Sequence, residues 1–227
     1  MSIDGLARRS RKGAKTRQHI VAQAAPLFNQ RGYEGCSLQE IMIAAGIEKG
    51  GIYRHFESKE ELAVAAFDFA WGEVFHARMR GLEEIRDPLL RLEAAIHNFI
   101  EQRPVLRGGC PLLNTAIDTD DGNAALRGRA RQALEIWRTH VGSLISLAVR
   151  QGTVKPNTQP CAVASIIIAT LEGALMMSRL EQDRYALETA RDHLIAYIGS
   201  LRVKKHIGPR SRDSKHMKAK RLQVIRE

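Results

Sequence analysis

Between Ser37 and Phe56 two short apolar-striped runs meet at a single glycine, and few folds accommodate that arrangement. The first run places Leu38, Ile41, Met42 and Ala45 on one face at helical spacing, and the second does the same with Ile47, Ile52 and Phe56. Ser37 and Glu40 stand at the spacing of a capping box, which predicts a helix start. Gly46 then predicts its end and a tight turn, as a helix-turn-helix needs. A short further helix is expected from about Lys49 to His55. Left outward on it are Glu48, Lys49, Gly50, Gly51, Tyr53, Arg54 and His55. Such a face suits duplex DNA: cations for phosphate, a hydroxyl-bearing ring, and small residues that let the backbone approach.

The rest of the chain is read as helical too. Sustained period-2 alternation and Asn-Gly or Asp-Gly hairpins are missing, so strands are not expected. Ile20, Val21, Ala24, Leu27 and Phe28 form the stripe of a first helix that stops near Gly32, with Pro26 expected to weaken or kink it. A second capping box, Ser58 and Glu61, opens a helix carrying Leu62, Ala66, Phe69 and Ala70 inward. Longer helices follow: one from Pro88 to before Pro104, one of about six turns or more around Trp137, one beginning at Pro160, and a last one from Leu187 to Leu201. The reading is all-α, with a compact N-terminal three-helix unit and a larger helical bundle behind it.

Charge is concentrated at the ends. Residues 1–17 hold six Lys/Arg against one acid, and residues 202–227 hold ten against two, so the ends exceed the whole formal charge of +10 and the middle is mildly acidic. Cationic ends suit a polyanion, while basic tails also keep a protein soluble. The longest charge-free stretch, Pro156 to Leu171, falls short of a bilayer span, so no membrane is expected. The N-terminus lacks the apolar core of a secretory signal, and three widely spaced cysteines (Cys36, Cys110, Cys161) argue for a reducing, cytoplasmic setting.

The segment over about 16–62 resembles the DNA-binding domain of the TetR family of bacterial repressors. Gly-Tyr-Glu-Gly at 32–35, Ala-Ala-Gly-Ile at 44–47 and Gly-Ile-Tyr-Arg-His-Phe-Glu-Ser-Lys-Glu-Glu-Leu at 51–62 match its pattern in order and spacing. Arg-Gly-Gly-Cys-Pro-Leu-Leu-Asn at 107–114 is similar to one branch of that family. The resemblance implies phosphate contacts from Lys49, Tyr53, His55 and Lys59, close approach at Gly50 and Gly51, and reach to bases or phosphates from Gln39 and Arg54. Ser37 joins this DNA-binding set. Gly51 departs from the family, which more often has Ser or Thr there, and Glu48 is left without a role.

The same resemblance implies a dimer paired through the last two long helices, with Ala162, Ala169, Gly173, Ala174 and Ser178 allowing close approach. It also implies a small-molecule effector held in the bundle, for which Phe99, Leu113, Trp137, Glu172, Met176 and Met177 are candidates. The expected division is a basic flexible arm at 1–15, the helix-turn-helix domain at 16–62, a regulatory and dimerisation domain at 63–201, and a basic disordered tail at 202–227. The expected function is a repressor that binds a palindromic operator and is released by the effector. The alternatives are a sequence-indifferent basic DNA-binding protein and an enzyme on a helical scaffold.

Other chemistry is weakly signalled. Asp118, Asp120, Asp121 and Gly122 fail calcium-loop spacing, because Gly falls at position five and Arg129 at position twelve; their expected role is at the N-terminus of the long helix. His97 and His140 lack a second ligand at helical spacing, apart from Glu101 four residues after His97. Cys110 is read as a buried, inert thiol in preference to a redox sensor. With no His-Glu-x-x-His, phosphate loop, dinucleotide fingerprint or nucleophile elbow, neither a catalytic site, nor a metal site, nor a cofactor is expected.

Overall fold

The computed structural model describes residues 3–102 and 105–203, and helices account for nearly all of its regular structure. They are α1 (Ile3–Gly35), α2 (Leu38–Ala45), α3 (Lys49–Tyr53), α4 (Lys59–Met79), α5 (Pro88–Glu101), α6 (Pro111–Asp118), α7 (Ala124–Arg150), α8 (Pro160–Glu181) and α9 (Tyr185–Leu201). Among the described residues the sole β-type contact is an isolated bridge between Val154 and Arg202, which fastens the end of α9 to the α7–α8 turn.

The stop expected near Gly32 is where the structure breaks α1, but the expected N-terminal arm and domain boundary differ. The helix begins at Ile3, where a flexible arm over 1–15 was expected. Extending an existing helix requires no new nucleus, and the Leu, Ala, Arg and Lys of this stretch are good helix formers. The break lies at Gly32 (φ 74, ψ 176), and α1 runs through Pro26. The expected 62/63 boundary also falls inside α4, which is buried on two faces. Leu62, Ala66 and Ala70 join the core of the N-terminal unit, while Ala63, Phe67 and Trp71 join that of the bundle. Phe69, expected inward, is only half-buried against the first of these cores. One helix therefore belongs to both units.

The first core gathers Ile20, Val21, Ala24, Cys36, Ile41, Ile52 and Phe56 around Leu62. The second is built on α7, which buries Trp137, Val141, Ile145 and Ala148 and packs against α4, α5, α6 and α8. α8 has the length and apolar composition of a membrane span, but Val163, Ile167 and Leu171 pack it into this core and Glu172 interrupts its apolar run. α6 was not foreseen in the sequence. Pro111 starts it at the first position, where a missing N–H is harmless.

Residues 204–227, which hold most of the basic tail expected at 202–227, lie outside the described residues.

Candidate nucleic-acid interface and regulatory cavity

Local chemistry sets the reading head before any tertiary contact does. Ser37 Oγ accepts from the Glu40 N–H (3.2 Å), and the Glu40 carboxylate accepts from the Ser37 N–H (2.9 Å), closing a reciprocal cap on α2. The Ser37 hydroxyl also donates to Glu40 (2.9 Å), so this residue of the expected DNA-binding set is engaged as a cap. Gly46 takes a left-handed conformation (φ 63, ψ 36) that residues with a Cβ disfavour, and its N–H closes α2 on Ile43 and Met42. His19 Nε2 donates to Ala45 O (3.0 Å), pinning α2 to α1.

α3 then hangs on Ile52 and Phe56, both buried, with its other face in solvent. Lys49, Gly50, Tyr53 and Arg54 are exposed, and Gly51 and His55 are half-buried. Tyr53 is 48% exposed, far more than a core aromatic, and Lys49 Nζ lies 6.0 Å from its ring centroid. Gln39 is exposed on α2, and half-buried Lys59 places its Nζ 4.4 Å from the Tyr33 ring centroid at the start of α4. Exposed Lys49, Arg54 and Tyr53 thus accompany two glycines on this short helical segment. Ile43, 74% exposed, stands one turn beyond Gln39 on α2 and was missed. Its position off the buried Leu38–Ile41–Ala45 stripe was the available signal.

The expected effector residues divide. Phe99 and Trp137 stack (5.9 Å between centroids, 16° between planes), and Glu172 is buried. These three surround Arg78, which sequence reasoning overlooked. Its guanidinium lies 4.1 Å from the Phe99 centroid and 5.0 Å from that of Trp137. Arg78 sits on a helix otherwise read as amphipathic, and nothing local marks it as inward. Cys110 donates its S–H to Glu172 Oε1 (2.9 Å). Burial pushes the Cys110 thiol up to about 11, with Arg78 opposing, which makes it a poor nucleophile. Burial likewise raises the Glu172 carboxyl, again against Arg78.

A cavity of about 240 Å³ opens between this cluster and the Val105–Cys110 loop, walled by Val74, Phe99, Leu175 and Leu187. Leu113 packs into the bundle core away from it, and Met176 and Met177 are exposed (45% and 46%) on the outer face of α8. The helical turn places positions 176 and 177 opposite the α8 residues that meet α7. For the same reason Ala174 and Ser178, expected on the outer stripe, face the protomer's own core, whereas Ala162 and Ala169 are exposed.

A wider cleft of about 650 Å³ lies between α1, α4 and α6. Asn114 Nδ2 donates across it to Asn29 O and Oδ1 (3.0 Å each) and to Gly108 O (2.8 Å). A Cβ on Gly108 would stand 2.7 Å from Asn29 O, so this approach admits only glycine. Asp118 accepts from the Tyr33 N–H (2.8 Å) at the α1 break. It therefore joins the two units and does not sit at the start of α7, where Asn123 is the cap.

Comparison with known proteins agrees with this architecture. Residues 20–66 match the family described as bacterial regulatory proteins, tetR family, and residues 88–194 match the tetracyclin repressor-like C-terminal domain. The crystal structure of a TetR transcriptional regulator from Chloroflexus aurantiacus is 44% identical, with a TM-score of 0.80 over 85% of this chain and 98% of that one. A TetR-family regulator from Cytophaga hutchinsonii is 33% identical, with a TM-score of 0.80 over 86% and 98%. The transcriptional repressor DhaR of a Mycobacterium species is 28% identical over 76% of this chain and 86% of its own. With a capped two-helix reading head, an outward α3, and matches to both family models and to these regulators' folds, the chain belongs to the TetR family of DNA-binding transcriptional regulators.

Proposed function

We propose that the protein is a homodimeric repressor that holds a near-palindromic operator and releases it when a small molecule occupies the bundle. The carrying observation is the solvent-facing array of Lys49, Tyr53 and Arg54 on a helix whose other face is fully buried. Lys49, Tyr53, His55 and Lys59 would hold phosphates, Gly50 and Gly51 would let α3 approach the groove floor, and Gln39 and Arg54 would reach base edges. Cationic Lys12 and Lys15, exposed in the N-terminal half of α1, add sequence-blind attraction.

The dimer reading is supported by the outer face of α8. Ala162, Ile166, Ala169, Gly173, Met177 and Leu180 recur at helical spacing; Leu180 is 77% exposed, and Ile166 and Met177 are also large exposed apolar groups. A monomer rarely leaves such a stripe in water. Pairing two copies would present two α3 helices to successive major grooves about 34–36 Å apart. Relatives named as repressors support repression, and action by binding without catalysis, in the cytoplasm, belongs to the same reading.

Release follows from the connection between cavity and head. The loop that walls the cavity also hydrogen-bonds α1 through Asn29 and packs Leu106 on the N-terminal core. An effector that repositions this loop would tilt α1 and α4 and change the α3 spacing, with a coupling of about 1–3 kcal/mol. The test is titration of the purified protein against its own upstream intergenic DNA and a scrambled duplex. Tight, salt-dependent binding to the first alone is expected; equal binding to both would leave only a sequence-indifferent DNA-binding protein.

A further inference from the structure

The cavity behind the Cys110 loop is small, at about 240 Å³ against roughly 300–1,000 Å³ for drug-sized sites. Arg78, Arg179 and Arg184 border it, and Asp and Glu are absent from its walls among the described residues. Arg184 is already paired with Glu101 (3.0 Å).

Arg78 is not so satisfied. It is 8% exposed, and its Nη1 is buried with no hydrogen-bond partner among the described residues. The nearest carboxylate oxygen, Glu172 Oε1, is 3.7 Å away, beyond hydrogen-bond range, and Glu172 Oε2 is likewise buried and unpartnered. Cys110 donates to the same Oε1 at 2.9 Å, so the Arg78–Glu172 ion pair at 3.7 Å is left without a direct hydrogen bond. A charged donor stranded in this way gains free energy from any acceptor that reaches it.

We propose that this cavity takes a small organic monocarboxylate with an apolar body, an aryl or short branched acyl acid, whose carboxylate engages Arg78 while its body lies among Val74, Phe99 and Leu187. The assignment rests on the effector reading above and names its chemistry. A cationic ligand would meet three guanidinium groups, and a neutral apolar one would leave the Arg78 donor stranded. The planar guanidinium matches a carboxylate in fork geometry. Glu172, standing behind Arg78, is the internal competitor for the same cation.

The test uses the full chain with butanoate, isovalerate, benzoate and phenylacetate, each beside its primary amide, read by thermal shift and by tryptophan quenching. Trp137 borders Arg78, so occupancy is visible. Saturable binding of at least one acid is expected, with its amide at least about tenfold weaker. Glu172→Gln removes the competing charge and is expected to tighten the acid about tenfold, an effect that a merely structural glutamate would not produce. Arg78→Lys keeps the charge for folding but loses the fork, and weakens the acid by a similar factor. The proposal is overturned if no acid binds, if amides match acids, or if both variants bind as the parent does. Operator titration alongside separates the two readings. Operator binding with silent acids overturns this assignment alone, whereas acid binding without operator binding supports the site and removes the regulator.

Discussion

The side-chain amide of Asn29 donates to the carbonyl oxygens of Arg107 (2.8 Å) and Gly109 (3.1 Å), so the first helix of the reading head is bonded to the loop that walls the cavity of about 240 Å³. Asn29 is 9% exposed, and its loss would leave the Arg107 and Gly109 carbonyls without this donor. Asn29→Ala is expected to lower stability by about 1–3 kcal/mol in urea denaturation. The same variant should bind operator yet release it less completely on effector addition, as read by fluorescence anisotropy. Unchanged release would show that coupling runs through α4 alone.

Substitutions on α3 separate phosphate contacts from base contacts. Lys49→Ala should weaken all duplexes alike and reduce the salt slope by about 1. Arg54→Ala should cost about 1–3 kcal/mol on operator and relax sequence preference at one position in each half-site. Neither should alter the circular dichroism spectrum or Tm appreciably, because both side chains are exposed. A loss of fold in either would place these residues in the core.

Ser37 acts as a cap in this structure. Ser37→Ala should destabilise the protein by about 1 kcal/mol, measured by chemical denaturation. Operator affinity of the folded fraction should stay within about twofold, since less than one lost phosphate bond is involved. A large affinity loss with unchanged stability would restore Ser37 to the DNA-contact set.

Gly173 offers a clean test of the dimer. A Cβ there meets nothing within 4 Å in its own chain, so Gly173→Glu leaves the protomer unhindered. Placed in the middle of an apolar outer stripe, the charge should shift light scattering from dimer to monomer and abolish tight operator binding while helicity persists. A dimer that survives would move the interface off α8.

The Cys110 thiol, raised by burial to about 11, should resist iodoacetamide at pH 8 in the native protein while exposed Cys161 is alkylated, as read by mass spectrometry. Because the folded value lies above the ordinary value of 9.0, the thiol's contribution to stability is fully present below pH 9 and is lost as pH rises toward 11. Tm should therefore fall more steeply over that window in the parent than in Cys110→Ala. Parallel curves would contradict the shift.

Much of this protein is decided by local chemistry and is legible in the residue order. The Ser37–Glu40 box, the Gly46 turn and the Ile41–Ile52–Phe56 burial pattern depend on neighbours within a few positions, so spacing alone specifies the reading head and leaves Lys49, Tyr53 and Arg54 outside it. Long-range packing settles what periodicity leaves open. Whether Arg78 turns inward, whether Met176 lines a cavity or faces outward, and whether α4 belongs to one core or two depend on helices that arrive dozens of residues later. The cavity exists because Cys110, Glu172, Phe99 and Arg78 come together from four separate segments. No local rule encodes such a meeting, since its energy lies in contacts made only after the chain has closed on itself.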